Sequence, residues 1–225
     1  MSTQTASFNL PTERQDFCRA ITSDHPLVLT EIFKPEHNLA IWQRRLPDSL
    51  TQGIEQALQQ GLRVKIALQV TPQNVWQELR SELAQWPCGD ELSANISELA
   101  EMYSILFEAR TLGIRLTTLD SAMCPRFHVD RVGCRLVSAF YGPGSEWLAD
   151  EDVDRRHLGP RDSKIDDISA GLYTTCEQIQ PIGCGDVALL KGSNWEGNEH
   201  NAIVHRSPPV PSGQTRLLLS IDLID

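Results

Sequence analysis

No apolar run in the sequence approaches the ~20 residues that a membrane-spanning helix requires, which argues against an integral helical membrane protein. The opening residues, MSTQTASFNLPTERQDF, hold no apolar segment of the secretory kind, so the expectation is a chain without a leader. There is no C-x-x-C pair either: Cys18, Cys88, Cys124, Cys134, Cys176 and Cys184 follow no disulfide-framework spacing. They read as reduced thiols, which points to the cytoplasm. No basic block offsets the formal net charge of −10, which disfavours a nucleic-acid backbone as partner. The pair Arg155-Arg156 lies among Asp152, Asp154 and Asp162 and reads as a solvated loop of mixed charge. The glycine-rich turn YGPGSEW is followed by neither Gly-Lys-Ser/Thr nor a helical pattern, which excludes a phosphate loop. Internal repeats and low-complexity stretches are missing as well.

What remains is an ordinary globular composition, 40% hydrophobic and 22% charged over 225 residues, enough to bury a core. The pattern changes near residue 113. Before it, PEHNLAIWQRRLPDSLTQGIEQALQQG suggests helices interrupted at Pro47 and stopped by Gly61. TPQNVWQELRSELAQW offers Thr71 as N-cap, Pro72 at the first helical position, and helical spacing of its apolar residues. Leu92, Ile96, Leu99, Tyr103 and Leu106 then form an apolar stripe that ends before Gly113. PLVLTEIF and RVKIALQV are strand candidates between these helices. After residue 113 come IRLTTLD, RFHVD, CRLVSAFY, TCEQIQPI, DVALLKG, NAIVHRS and TRLLLSIDL, separated by glycine- and proline-rich turns. Short strands so spaced suggest a barrel or jelly-roll sandwich. The expected fold is α+β in one domain, 1–225, with 1–113 a mainly helical support layer on the outer face of a β core at 114–225.

The chemistry concentrates in CPRFHVDRVG. Alternation along an extended strand puts Cys124, Arg126, His128 and Asp130 on one side, with Phe127 and Val129 turned to a core. A polar inward face is costly unless something occupies it, and one cation would satisfy a carboxylate and a neutral imidazole together. His205 closes the apolar run Ala202, Ile203, Val204, and Arg216 follows eleven positions later among leucines. A cation in a core strand calls for an anion. The plainer alternative pairs Asp130 with Arg131 or Arg135 and leaves His205 as a satisfied core histidine.

The order His-x-Asp, distal His, then Arg resembles the Fe(II)/2-oxoglutarate-dependent dioxygenases, over roughly residues 114–222. That resemblance implies a double-stranded β-helix, or cupin-like jelly roll, and hydroxylase-type oxidation of a substrate that the sequence does not identify. It further implies His128, Asp130 and His205 as ligands of Fe(II), and Arg216 as the bidentate anchor of the far carboxylate of 2-oxoglutarate. The phrases CPRFHVDRVGCRLVSAFYGPGSEWL, GDVALLKGSNW and HRSPP also resemble a bacterial family known as a domain of unknown function, a resemblance that implies a zinc-homeostasis setting. That setting favours either the same triad holding zinc, with water as fourth ligand and no oxygenase activity, or an iron enzyme deployed when zinc is scarce. Further pocket candidates are Cys124, Arg126, Tyr141, Trp147 and Lys191, the last for an anionic substrate. Trp195 reads as core or rim, His200 as a loop histidine or extra ligand, and 149–167 as a polar loop carrying His157.

Overall fold

Both halves of the chain build the main sheet. The computed structural model describes residues 18–160, 162 and 165–224; the polar start read for a leader lies outside them. Among the described residues there are ten strands: β1 (Arg19–Ser23), β2 (His37–Trp42), β3 (Lys65–Val70), β4 (Leu112–Leu119), β5 (Cys134–Tyr141), β6 (Glu146–Leu148), β7 (Ile179–Pro181), β8 (Val187–Lys191), β9 (Val204–Arg206) and β10 (Arg216–Leu223). Seven form one sheet in the order β1-β2-β8-β5-β10-β4-β3, and three form a second in the order β7-β6-β9. All pairings are antiparallel except β1 with β2. The chain is thus mixed α+β, dominated by antiparallel sheets. Among the described residues no helix is long and apolar enough to cross a membrane.

Strand parity divides the large sheet into two faces. Leu112, Ile114 and Leu116 of β4, Leu136 of β5 and Leu217, Leu219 and Ile221 of β10 share a core cluster with the helices α1 (Asp48–Gln59), α2 (Val75–Glu82) and α3 (Gly89–Phe107). The α3 stripe buries Leu92, Ile96, Leu99 and Tyr103 completely or nearly so, and the Tyr103 hydroxyl donates to the Cys134 carbonyl at 2.7 Å. On the other face, Leu39, Ile41, Val137, Ala188 and Leu190 meet Ile182 and Ile203 from beside the small sheet. Alternation fades along β5 because six of its eight residues are buried, some on each face.

Several expectations change here. The first half is not merely a helical layer, since it supplies β1, β2 and β3. HNLAIW, read as helical, is the strand β2, buried at four successive positions as suits a strand covered on both faces. PLVLTEIF is a 3-10 helix, not a strand: Pro26 opens it, the His25 imidazole accepts from the Leu27 N–H, and Val28, Leu29 and Ile32 face inward. Helix α3 stops at Phe107, with Glu108 in the left-handed region (φ 52°), well before Gly113, which lies inside β4. RFHVD is no strand; it makes a single bridge, at His128. Phe127 and Val129 do not lie under the helices. They join Leu148, Leu172, Tyr173 and Val204 in a separate cluster.

A fragment beginning at Gly113 loses β1 and β2 from one side of the sheet and β3 from the other. The strands β8 and β4 become bare edges, and the leucine face meant for the helices meets water. Such a fragment is expected to be insoluble or molten, with dispersed amide NMR signals lost. Cooperative unfolding of the isolated fragment would show that the first half is dispensable for folding.

Candidate metal centre

The site begins with a backbone pairing. His128 and His205 exchange both hydrogen bonds, each N–H donating to the other's carbonyl at 3.0 Å, so their side chains leave the same face as direct cross-strand neighbours. Their rings lie 4.6 Å apart, centroid to centroid. On β9 the flanking Val204 turns to the Phe127 cluster, which leaves His205 facing inward, 7% exposed. Asp130 follows two positions after His128 on the same side. One ligand atom from each of the three lies within 4.8 Å of the others. His128 Nε2 is 3.7 Å from Asp130 Oδ1, and His205 Nε2 is 3.4 Å from Asp130 Oδ2. Ligand bonds of ~2 Å set adjacent donors about 3–4 Å apart, so this spacing suits a shared ion.

The tautomers sharpen the case. Nδ1 of His128 lies 2.9 Å from the Arg126 carbonyl, and Nδ1 of His205 lies 3.2 Å from the Ile203 carbonyl. A carbonyl only accepts, so each Nδ1 carries the proton, and in the neutral ring each Nε2 turns a bare lone pair toward the carboxylate. Lone pairs facing an anion repel unless a cation lies between them. Burial, followed by the proximity of His205, lowers the His128 pKa and favours that neutral form. For Asp130, burial by itself raises the carboxyl, but positive charge beside it, from His205 and His128 in their charged forms and from Arg135 throughout, outweighs this and holds the group at about 2. The donor set therefore fits a divalent metal of the kind that takes imidazole and carboxylate together.

Arg216 lies nearby and is 1% exposed. Its Nη1 donates to the Ser207 hydroxyl at 3.3 Å and its Nη2 to the Ser145 hydroxyl at 2.9 Å, while Nε has no partner. Among the described residues no carboxylate pairs with it, and burial lowers its pKa to about 10. Ser145 and Ser207 also line a cavity of about 110 Å³, together with His128, His205, Cys124, Arg135 and Ser220. The buried guanidinium thus stands behind two hydroxyls of the cleft that holds the histidines.

Of the remaining candidates, Cys124 is exposed at this cleft, and its carbonyl accepts from the Ser207 N–H. Arg126 reaches away to the carbonyls of Asp162 and Ile165, tying the 149–167 loop to the segment before His128. Trp147 pairs in register with His205 and packs against the cluster between the sheets, but it lines a neighbouring cleft with Cys18 and Asp150. Tyr141 packs against the helix-side cluster, because a register shift opposite Leu217 and Leu218 reverses the parity at the end of β5. Lys191 is also removed from the site: it is buried, donates to the Lys34 carbonyl at 3.0 Å, and lies 4.7 Å from the Trp195 ring centroid. His200 is exposed, lines a different cleft with Asp154 and Arg155, and is not in the triad. The plainer alternative is partly realised too, since Arg135 does pair with Asp130, at 2.6 Å.

Sequence reasoning overlooked Ser145, Ser207 and Arg115 as cleft residues. The signal for Arg115 was its parity on β4, opposite the buried Ile114 and Leu116. The two serines sit outside strands and carried none. Gly192 was overlooked as well. A Cβ there would fall 2.1 Å from the Val132 carbonyl oxygen and 2.8 Å from that of Asp130. Gly192→Ala is therefore expected to push the 130–133 turn aside and weaken metal binding, at a cost of about 1–3 kcal/mol in stability. Metal titration and thermal melts of the variant check this.

Fold and site together define a mixed α+β protein carrying a two-histidine, one-carboxylate constellation beside a buried arginine. The chain belongs to the family described as Protein of unknown function (DUF1826), whose model matches residues 23–222. No curated protein matches it. Among solved structures it is similar to the rice dioxygenase for auxin oxidation, at 11% identity over 92% of this chain and 83% of that one, with a TM-score of 0.49. It is similar also to the Arabidopsis thaliana enzyme of that name in complex with 2-oxoglutarate, at 8% identity, 92% of each chain and a TM-score of 0.49. A third is a Pseudomonas putida prolyl-4-hydroxylase, at 12% identity, 87% of this chain and 96% of that one, with a TM-score of 0.44.

Proposed function

We propose that the chain is an Fe(II)/2-oxoglutarate-dependent dioxygenase acting on an unidentified substrate. In this reading its two sheets form the double-stranded β-helix of that class, braced by α1–α3. His128, Asp130 and His205 hold the metal, and Arg216 with Ser145 and Ser207 receives the far carboxylate of 2-oxoglutarate. When bound, ferrous iron and the oxo-acid would supply the electrons that activate dioxygen, the oxidant of the reaction. The protein's own part is to present two neutral imidazoles and one ionised carboxylate on one face, to orient the oxo-acid, and to keep the cleft closed to bulk water. The six free thiols suit a reducing compartment such as the cytoplasm.

Arg216 carries this reading. Burying an unpaired guanidinium costs several kcal/mol, and two serine hydroxyls do not neutralise it. A dianionic ligand with one end at the metal and the other at Arg216 removes that cost. A zinc site with a simple bound water, the alternative drawn from the triad alone, leaves the buried charge without a role. Anaerobic titration with Fe(II) and then 2-oxoglutarate should produce the visible charge-transfer band of the chelate. Metal binding without any band, and without tighter 2-oxoglutarate binding in its presence, would remove the cosubstrate and leave the zinc alternative.

A further inference from the structure

We infer that Arg135 is a positioning residue, which confines Asp130 to coordination through one oxygen and so keeps a metal position open. This rests on the metal reading above. Arg135 Nη1 lies 2.6 Å from Asp130 Oδ2, the oxygen that also stands 3.4 Å from His205 Nε2, whereas Oδ1 faces His128 Nε2 at 3.7 Å with no arginine on it among the described residues. The guanidinium is not free to swing away. Asp222, its cross-strand partner on β10, grips Nε at 2.6 Å and Nη2 at 3.1 Å with its two oxygens. Arg115 of β4 then closes on Asp222 Oδ2 at 2.5 Å. The clamp thus spans three adjacent strands, and both acidic groups are largely buried.

Geometry and charge act in one direction. A carboxylate with two free oxygens can chelate a metal through both and occupy two positions. With Oδ2 held by a charged donor, Oδ1 becomes the stronger ligand, and the position that Oδ2 would take stays available. Arg115 and Arg135 also balance Asp130 and Asp222 in formal charge. The triad therefore delivers little net negative charge to a divalent ion, which binds modestly alone and more tightly with a dianionic chelator.

Infrared difference spectra of the full chain, Zn(II)-loaded minus apo, read the coordination mode. Wild type should show the wide separation of antisymmetric and symmetric carboxylate stretches that marks one-oxygen binding. Arg135→Gln should show the narrow separation of two-oxygen binding. Alongside, Mn(II) titrated alone should bind the variant at least fivefold tighter, while 2-oxoglutarate binds the Mn(II)-loaded variant at least fivefold more weakly. Should the Asp222 carboxylate, left with Arg115 alone, prevent Arg135→Gln from folding, Arg135→Gln/Asp222→Asn removes both charges and is read identically. An unchanged stretch separation, or Mn(II) and 2-oxoglutarate affinities falling in proportion, overturns the inference and leaves Arg135 as structural support. A wild-type chain that binds neither Zn(II) nor Mn(II) overturns the metal reading itself, and the wild-type data alone identify that outcome.

Discussion

Arg216→Lys is expected to weaken 2-oxoglutarate binding roughly tenfold or more while Mn(II) affinity stays within about threefold. The guanidinium offers a rigid fork, two prongs of which already reach Ser145 and Ser207, and its Nε remains unpartnered. An ammonium is a point charge on a flexible stem and reproduces neither the fork nor its aim. Arg216→Met goes further. It removes a buried charge of similar volume, so the fold should tolerate it, yet it takes away the only buried cation beside Ser145 and Ser207 among the described residues. A loss of about 2–4 kcal/mol in 2-oxoglutarate binding follows, thirtyfold to a thousandfold. Isothermal titration of the Mn(II)-loaded variants with 2-oxoglutarate reads both. Wild-type affinity in Arg216→Lys would dissociate Arg216 from the cosubstrate altogether.

The second large effect concerns the triad. His128→Ala and Asp130→Ala should each abolish tight metal binding, because two remaining ligands hold a divalent ion poorly. The chain should stay folded. The His128 side chain is 35% exposed, and its pairing with His205 is made by backbone groups that alanine keeps. Without Asp130, Arg135 retains its two-pronged grip on Asp222. Loss of the whole fold in His128→Ala would favour a core role for these residues. The pH dependence has a definite sign as well. Protons compete with the metal for imidazole, and the His128 pKa lies below the ordinary 6.5. Metal affinity should be level above neutrality and fall once the solution is acidic enough to charge His128. Asp130, held at about 2, adds no step in that range. A wild-type affinity that already falls above pH 7 would contradict this assignment.

How much of this was legible before the fold? Strands bounded by turn residues were: CRLVSAFY matches β5 residue for residue, and TRLLLSIDL contains the whole of β10, Arg216–Leu223. Helices α1 and α3 were legible from their stripes. HNLAIW was not, because a strand buried on both faces has no alternation and reads like a buried helix. The residue types of the site were legible too, since histidine, aspartate and a core arginine each carry a chemical demand that apolar surroundings do not meet.

Two further placements depended on the fold. Tyr141 looked like a cleft aromatic, but one register shift reversed its side. Lys191 looked available to an anion, but the parity of β8 sends it to the helix side with Trp195. Sequence by itself determined the local alphabet: strand and helix periods, the short His-x-Asp spacing, and which charged residues would be uncomfortable in a core. Only tertiary structure decided that His128 meets His205 across a bridge, that two serines stand before Arg216, and that Arg135 and Asp222 clamp Asp130. The reason is physical. Periodicity is set by the bonds of one segment, whereas these meetings depend on strand order and register between distant segments, fixed only when both faces of the sheet are buried together.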